Sequence, residues 1–267
     1  MTPKLSIITV VFNNREGLCR TLESVKCQTF RDFEQIVIDG GSTDGTLEEI
    51  KKYESQIANF RWISEKDKGI YNAMNKGIKM AKGEYCYFLN SDDYIAMPNT
   101  LEKIFEKAKD ADIIYGNLAI RKGEKIKSVI KYPKEVSYYT FFIGKRVMHH
   151  QASYIKRDLF EKYGYYRDEI KYVADNLFFF ETVILRNVSC QYINRVFSIF
   201  LSGGVSSVVY SEEDQKAIGN TYKSAIPDLV WKDYEHWKEK NETFISNVKE
   251  KLLKKLYLIK ALKNEEI

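Results

Sequence analysis

Short apolar runs alternate with amphipathic stretches through the first hundred residues. The runs are continuous and rich in β-branched residues, which is typical of strands buried on both faces. They cover residues 5–12, 33–39, 60–64 and 85–89. The stretches between them place apolar residues at helical spacing, which predicts a helix after Asn14 and further helices over 46–56 and 70–82. Asn14 is predicted to be an N-cap, and Gly83 to cap the C-terminal end of the third helix.

This alternation of strands and helices indicates an α/β fold with a mostly parallel central sheet flanked by helices. Ligands of parallel sheets bind at the carboxyl ends of the strands. Two turns that carry acids follow strands at this edge: one begins at Asp39, and the other contains Asp92 and Asp93. We therefore expect a binding site where these turns meet.

The pattern changes after residue 111. Apolar segments flank a Lys-Gly-Glu turn at 122–124, which indicates an antiparallel portion of the sheet. The predicted strands of this half are 112–116, 117–121, 126–132, 149–156 and 189–201. A helix is predicted over 175–185, and the chain from residue 212 onwards is helical and rich in lysine.

Composition and charge narrow the class of protein. Hydrophobic residues make up 44% of the 267 positions, so the chain can bury a sizeable core. A net charge of +5 is too small for a dedicated nucleic-acid binder, although it suits anionic small ligands or an anionic membrane surface. The four cysteines form no C-x-x-C pair, and the chain opens without a signal peptide. We therefore expect a cytoplasmic protein with reduced cysteines.

The carboxylates at the strand ends are candidates for binding a divalent metal and a nucleotide. Adjacent acids such as Asp92 and Asp93 repel each other, and Mg²⁺ or Mn²⁺ relieves such repulsion while bridging to substrate phosphates. An isolated pair is more often an N-cap in a solvated turn, but its position at a strand end favours the metal. Asp39 either accepts a hydrogen bond from a base N–H or stabilises its own turn. Asp44 is expected only to cap the next helix.

Other polar segments have two interpretations each. Asp175 is either a general base or an N-cap, and the residues alone favour the N-cap. His149 and His150 were expected on a strand, where they point to opposite faces, so that at most one reaches the site. The charged segment 65–69 either faces phosphates or is a solvated loop, and the Gly-Gly segment 203–207 is either a lid or a plain turn.

Seven segments together resemble the inverting family 2 glycosyltransferases, which have the GT-A fold, and are most similar to bacterial members that build surface polysaccharides. They occur in the order of the family and extend from about residue 5 to 207. The segments are 9–14 (TVVFNN), 39–46 (DGGSTDGT), 67–77 (DKGIYNAMNKG), 89–93 (LNSDD), 150–151 (HQ), 174–175 (AD) and 203–206 (GGVS).

The resemblance implies a role for each matched residue. Val10, Val11, Phe12 and Asp39 would hold the nucleotide base. Asp67 and His150 would belong to the donor pocket, with Asp92 near the ribose. Asp93 would bind the metal, Mn²⁺ or Mg²⁺. Asp175 would be the catalytic base of a single displacement that inverts the anomeric carbon.

Two departures from the family pattern qualify this assignment. Asn72 occupies a position where relatives often have Asp, so its role is open. The Q-x-x-R-W element of processive members is missing, and the nearest string, residues 191–196, has other spacing and no Trp. We therefore predict transfer of one sugar per encounter. An acid at Asp39 suits the N–H of uracil, which favours UDP as the nucleotide.

The expected domains are a catalytic domain over 1–207 and a helical, lysine-rich extension over 208–267. Within the first, 1–116 would bind the nucleotide sugar and 117–207 the glycan acceptor. Residues 243–264 hold six lysines and one glutamate along a ragged amphipathic stripe. They either lie on anionic lipid, next to a lipid-linked acceptor at the inner face of the membrane, or pack on the catalytic domain. The oligomeric state is open.

Two other functions fit the same elements. A nucleotidyltransferase also uses a parallel sheet and a metal, but no glycine-rich phosphate loop follows the first strand. A catalytically inert nucleotide-sugar-binding module would keep the fold and lose the acids. All three candidate acids, Asp92, Asp93 and Asp175, are present, which favours an enzyme.

Overall fold

A computed structural model describes residues 2–123, 125–137, 148–202 and 212–228, together with residues 232, 235, 236 and 238–240. The chain divides into two compact units, Met1–Gln215 and Lys216–Ile267. In the described part of the second unit the chain is helical, and the helix that contains the boundary is Glu212–Ala225. No helix in the described ranges is long and apolar enough to cross a membrane.

The first unit is built on four parallel strands separated by helices, as the alternating pattern predicted. The strands are β1 (Leu5–Val11), β2 (Phe33–Asp39), β3 (Phe60–Ser64) and β4 (Tyr85–Phe88), and the helices between them are α1 (Arg15–Lys26), α2 (Thr46–Glu54) and α3 (Ile70–Met80). Every residue of β1, β2 and β4 is buried, because helices cover both faces of a parallel sheet. The α/β fold is confirmed.

The register of these strands brings their carboxyl ends to one edge. Val11 of β1 pairs with Asp39 of β2, and Asp39 pairs with Ser64 of β3. On the other side of β1, Ile8 pairs with Phe88, the last residue of β4. The turns after β1, β2 and β4 are therefore neighbours, as the sequence predicted.

The second half of the sheet is mixed. Its elements are β5 (Tyr94–Ile95), α4 (Thr100–Phe105), β6 (Ile113–Lys122), β7 (Lys125–Ile130), β8 (Ser153–Lys156), α5 (Asp158–Tyr163), α6 (Ala174–Phe179), a π-helical turn Phe180–Leu185 and β9 (Cys190–Leu201). The strand order is β3-β2-β1-β4-β8-β6-β9-β5, and β7 pairs with β6. The β6–β7 hairpin is antiparallel, as predicted, whereas β6 and β9 are parallel.

Three local predictions for this fold were wrong. Segments 112–116 and 117–121 form one strand, β6, whose register shifts around Asn117. His150–Ala152 is a 3₁₀ turn, so β8 begins only at Ser153.

Gly83 does not cap α3, which ends at an extended Ala81. Gly83 instead lies against β1: a methyl group there would be 2.6 Å from the Ser6 backbone nitrogen.

Aromatic packing fixes α6 against the sheet. Phe178 of α6 stacks on Phe160 of α5 with ring centroids 4.5 Å apart, and Tyr166 packs edge-on against Phe178. Both Phe160 and Tyr166 also contact Phe88 at the end of β4. Because rings of this size bury large apolar areas, the N-terminal turn of α6 is held at the carboxyl edge of the parallel strands.

Helix α3 approaches β1 closely at Gly77. A methyl group on Gly77 would lie 2.4 Å from Cγ2 of Ile8, well inside van der Waals contact. Glycine at this position therefore sets how near α3, and with it Tyr71, can lie to the sheet.

Replacing Gly77 with Ala is expected to destabilise the protein by about 1–3 kcal/mol, because overpacking forces α3 or Ile8 to move. The matched control is Gly219→Ala in Glu212–Ala225, where a methyl group meets nothing within 4 Å. That change should be neutral or stabilise by up to about 1 kcal/mol through helix propensity. Urea denaturation followed by circular dichroism measures both, and equal stabilities for the two variants would contradict this account.

Candidate active site

A buried hydrogen-bond network surrounds the carboxylate of Asp175, in the first turn of α6. Its Oδ2 atom is 2.7 Å from Nδ1 of His150, and its Oδ1 atom accepts a hydrogen bond of 2.8 Å from the Tyr71 hydroxyl. On the other side of the imidazole, Nδ2 of Asn90 is 3.3 Å from Nε2 of His150. The network joins side chains from α3, the turn after β4, the 3₁₀ turn and α6.

Both ring nitrogens of His150 have a polar neighbour. Nδ1 lies 2.7 Å from the Asp175 carboxylate, and Nε2 lies 3.3 Å from Nδ2 of the Asn90 amide. These two contacts hold the imidazole ring beside Asp175.

The same donors control the charge of Asp175. Burial raises the pKa of its carboxyl, but the hydrogen bond and charge of His150, followed by the hydrogen bond from Tyr71, outweigh burial and lower the pKa to about 2. Burial and the Asp175 charge raise the pKa of Tyr71 well above 10. Near neutral pH the site therefore holds a carboxylate and a neutral phenol donor.

Asp175 is not an N-cap, although the residues alone favoured that interpretation. Val173 is the N-cap of α6, and no side chain caps this end of the helix. The Asp175 side chain is only 12% exposed and points to His150 and Tyr71. Its negative charge still lies within the first helical turn, where the helix dipole favours it.

The two adjacent histidines do not separate onto opposite faces, because they do not lie on a strand. Both line one cavity, together with Asp175 and Asn90. Nδ1 of His149 makes a short hydrogen bond with the Tyr132 hydroxyl. The prediction that only one histidine reaches the site was therefore wrong.

The two acids after β4 have different environments. Asp92 has a positive φ of 81°, which turns its side chain outwards, where it is 24% exposed. There it accepts a hydrogen bond of 2.8 Å from Asn14 and forms an ion pair with Arg20. Asp92 is thus the acid of this pair that a ligand can reach.

Asp93 faces inwards and is 4% exposed. Burial, followed by the charge of Asp92, raises the pKa of its carboxyl well above 3.8, although Leu201 and Gln151 donate hydrogen bonds to it. The Asp93 carboxylate is therefore the less accessible of the two acids. Its assignment to the metal stays a prediction. Among the described residues no group of three or more acids, histidines or cysteines could hold a metal alone.

The nucleotide-binding candidates after β1 and β2 differ in what they expose. Phe12 is 63% exposed, while Val10 and Val11 are buried. The carbonyls of the two valines already accept hydrogen bonds from Ser91 and Gly40. Of the three base-binding candidates in and after β1, only Phe12 presents a side chain.

Asp67 lies beside this exposed ring. A methyl group on Gly40 would be 2.7 Å from Oδ2 of Asp67 and 3.2 Å from the Phe12 ring, so all three residues are in contact range. Oδ1 of Asp67 accepts a hydrogen bond from the Gly69 amide at the start of α3. Phe12 and Asp67 thus form an open edge beside the ends of β1 and β2.

Asp39 is fully buried and already holds its own turn. Its carboxylate accepts hydrogen bonds from the amide and hydroxyl of Ser42 and a 2.5 Å hydrogen bond from the Ser64 hydroxyl. Asp44 similarly accepts from the amide and hydroxyl of Thr46 at the start of α2. The contact with Ser42 agrees with the interpretation that Asp39 stabilises its own turn, whereas the contact with Ser64 was not predicted.

Sequence reasoning also missed the partners that define the two central acids. Tyr71 and Asn90 lie inside the matched segments 67–77 and 89–93 but received no role. Asn14 was identified only as an N-cap, which it is, with Gly17 donating to its side chain. Its additional contact with Asp92 spans 78 positions and is not visible in local pattern. The Gly-Gly segment 203–207 lies outside the described residues.

The family model for Glycosyl transferase family 2 matches residues 6–164, more than half of the chain. The chain belongs to this family of glycosyltransferases, and the nucleotidyltransferase interpretation is set aside. An uncharacterised glycosyltransferase of Mycobacterium tuberculosis is 33% identical over 71% of this chain and 75% of its own length. The poly(ribitol-phosphate) β-N-acetylglucosaminyltransferase TarP of Staphylococcus aureus is 37% identical, over 48% of this chain and 40% of TarP.

Solved structures agree on the fold. S. aureus TarS residues 1–349, in complex with UDP-GlcNAc, matches with a TM-score of 0.66 and 21% identity over 86% of this chain and 69% of that one. The Pyrobaculum calidifontis mannosyltransferase PcManGT, with GDP-Man and Mn²⁺, has a TM-score of 0.57 and 17% identity over 75% and 57% of the two chains. The fold is therefore the GT-A fold, as the resemblance implied.

Replacing His150 with Ala is expected to raise the pKa of Asp175, because burial is then opposed mainly by the Tyr71 hydrogen bond. The carboxyl ¹³C shift of labelled Asp175, titrated by NMR, measures the change. The control is His236→Ala, which removes an exposed histidine. A pKa that stays near 2 in His150→Ala would show that His150 does not stabilise the carboxylate.

Proposed function

We propose that this protein transfers a single sugar from a UDP-sugar to an acceptor hydroxyl with inversion, and that Asp175 is the general base. The observation that carries the proposal is a buried carboxylate, ionised near neutral pH, at the carboxyl edge of the parallel strands. Asn90 connects it to the donor side, because Asn90 contacts His150 and immediately precedes Ser91 and Asp92. Asp175 is thus connected to the proposed donor site through one imidazole ring.

The donor would bind across the ends of β1, β2 and β4. The exposed Phe12 ring offers a face to a base, with Asp67 beside it. Asp39 now accepts hydrogen bonds from the hydroxyls of Ser42 and Ser64. For Asp39 to bind a base N–H, one of these hydroxyls has to turn away. The UDP-GlcNAc complex of TarS, which shares the fold, supports a uridine nucleotide.

A divalent cation fits Asp92 better than Asp93. Mg²⁺ and Mn²⁺ are often held by one or two carboxylates together with substrate phosphates, so a single outward carboxylate is a sufficient protein contribution. The ion pair with Arg20 shows that Asp92 already attracts positive charge. We therefore assign the cation to Asp92 and a structural role to Asp93. The Mn²⁺ complex of PcManGT supports a metal of this kind.

The reaction that this geometry supports is a single displacement. The acceptor oxygen forms a bond to the anomeric carbon while the bond from that carbon to the diphosphate oxygen breaks. The hydroxyl proton passes to the Asp175 carboxylate, which His150 and Tyr71 hold in place. A weak base suffices, because the hydroxyl becomes acidic as its oxygen bonds to carbon. A bound cation would stabilise the charge of the departing diphosphate.

The acceptor is proposed to be a glycan hydroxyl in bacterial polysaccharide assembly. TarP, whose name specifies β-linked N-acetylglucosamine on poly(ribitol phosphate), supports a polymer-building role. A β-linked product from an α-linked nucleotide sugar also has the stereochemistry of inversion. The predicted membrane contact through residues 243–264, and a site at the inner face of the membrane, stay predictions outside the described residues.

A thermal-shift screen of nucleotide sugars with and without Mn²⁺ tests the donor. One UDP-sugar should raise the melting temperature more than GDP- and ADP-sugars do, and Mn²⁺ should enlarge the shift, because a ligand specific for the native state stabilises it by mass action. Hydrolysis of the same donor measures turnover. Stabilisation without turnover would indicate a binding module and contradict the enzymatic proposal.

Replacing Asp175 with Asn should lower donor hydrolysis and transfer by about 100-fold or more, because the amide cannot take the proton. Donor binding, measured by titration calorimetry, should stay close to wild type. Asp158→Asn is the control, since that side chain is 83% exposed on α5. Full activity of Asp175→Asn would exclude Asp175 as the base.

Adjacent substitutions separate the two acids of the turn. Asp92→Asn should weaken Mn²⁺ binding to the donor-loaded protein by about tenfold or more, which equals about 1.4 kcal/mol. Asp93→Asn should leave it nearly unchanged, because the side chain of Asp93 is buried and faces inwards. Electron paramagnetic resonance of free Mn²⁺ measures both affinities. If Asp93→Asn weakens Mn²⁺ binding more than Asp92→Asn does, Asp93 is the metal ligand.

A further inference from the structure

Four apolar side chains form a continuous surface across three neighbouring strands. Leu118 and Ile120 of β6 alternate with residues of the other face and so point the same way. Leu118 pairs with Ile130 of β7, and Ile120 pairs with Phe200 of β9. Directly paired residues share a face of the sheet, so Leu118, Ile120, Ile130 and Phe200 form one surface, here called the apolar platform.

A bulge in the β6–β7 hairpin limits the apolar platform to the end of β7 that contains Ile130. The register shifts after Ile120, so Arg121 pairs with Ile126, and one residue of β7 is not paired with a residue of β6. The extra residue reverses which side chains face inwards. Ile130 is accordingly half-buried, whereas Ile126 is 50% exposed.

The platform is one wall of the cavity that contains the catalytic candidate. All four platform residues line that cavity together with Asp175, His150 and Asn90. Ile70, Met148 and Val173 extend the apolar lining, while Lys171 and Asn176 add polar groups. The cavity therefore has a polar end around the carboxylate and an aliphatic wall next to it.

This wall does not suit a fully hydroxylated sugar. A buried hydroxyl without a hydrogen-bond partner costs free energy, and aliphatic side chains offer no partner. Three platform residues, Ile120, Ile130 and Phe200, are only half-buried, so they retain apolar area that a ligand can cover. An apolar group of the acceptor that covers this area while a hydroxyl reaches Asp175 therefore gains free energy of binding.

We propose that the acceptor is a glycoside whose apolar aglycone, an alkyl chain or an aryl ring, lies on the apolar platform. This inference rests on the proposed function, because it takes Asp175 as the residue that receives the acceptor hydroxyl. It places recognition of a hydrophobic acceptor inside the catalytic cavity, independently of residues 243–264. Each aglycone methylene that becomes buried contributes about a fourfold gain in affinity.

Binding of octyl β-glucopyranoside below its critical micelle concentration tests the platform without any turnover. Titration calorimetry should show binding to the wild type that weakens about tenfold in Ile130→Thr. The matched control is Ile126→Thr on the same strand, which makes the same change at an exposed position and should bind like the wild type. Circular dichroism identifies folding defects, and Ile120→Thr is a second variant inside the platform.

Kinetics separate this proposal from the proposed function. Donor hydrolysis without acceptor, measured in the wild type, reports on the proposed function alone, and Ile126→Thr should match it because Ile126 is exposed and does not line the cavity. With alkyl glycosides of one sugar as acceptors, the octyl form should exceed the methyl form at least tenfold in kcat/KM, and Ile130→Thr should reduce that ratio.

Two results overturn the platform. One is octyl glucoside binding that is the same in wild type, Ile130→Thr and Ile126→Thr. The other is equal kcat/KM for octyl and methyl acceptors. Absence of donor hydrolysis in the wild type, with octyl glucoside binding still dependent on Ile130, would instead reject the proposed function and keep an apolar ligand site.

Discussion

The site depends on keeping one carboxylate charged where water is nearly excluded. An isolated buried carboxylate takes up a proton, and here two donors on opposite oxygens of Asp175 prevent that. The Asn90 amide contacts the other ring nitrogen of His150 and holds the imidazole in place. Each partner comes from a different stretch of chain, so the parallel strands, α3 and α6 must all be in place before the charge is stable. The closely packed Gly77 and the aromatic contacts of Phe178 serve this requirement.

In the turn after β4, the backbone conformation gives two identical side chains different environments. Asp92 and Asp93 differ in no property that the sequence displays. The positive φ of Asp92 directs one carboxylate to Arg20 and solvent and leaves the other inside the protein. Burial and the neighbouring Asp92 raise the pKa of the inner acid. The outward acid is the one that a ligand can reach.

The bounds of the strands and helices in the parallel half were predictable to within three residues, because β-branched runs, caps and helical periodicity are local signals. The elements of the other half were less predictable. The continuity of β6 depends on Gly116, where a methyl group would lie 2.1 Å from the Phe197 ring, a contact between distant residues. Sequence located Asp175 only through the family resemblance, since its local pattern suggested an N-cap. Its partners Tyr71 and His150 could not be paired with it, because they lie 104 and 25 positions away.

Under the proposed function, the two halves of the sheet bind different substrates. Turns after parallel strands present backbone groups and short polar side chains, which suit a nucleotide and phosphates. The apolar platform lies instead on the mixed half of the sheet. Side chains of the β6–β7 hairpin can be substituted there without disturbing β1, β2 or β4. An enzyme built in this way can alter its acceptor through β6, β7 and β9 while the donor edge stays fixed. The bulge at the hairpin is the critical feature, because a one-residue slip would exchange Ile130 for Val129 at the cavity wall.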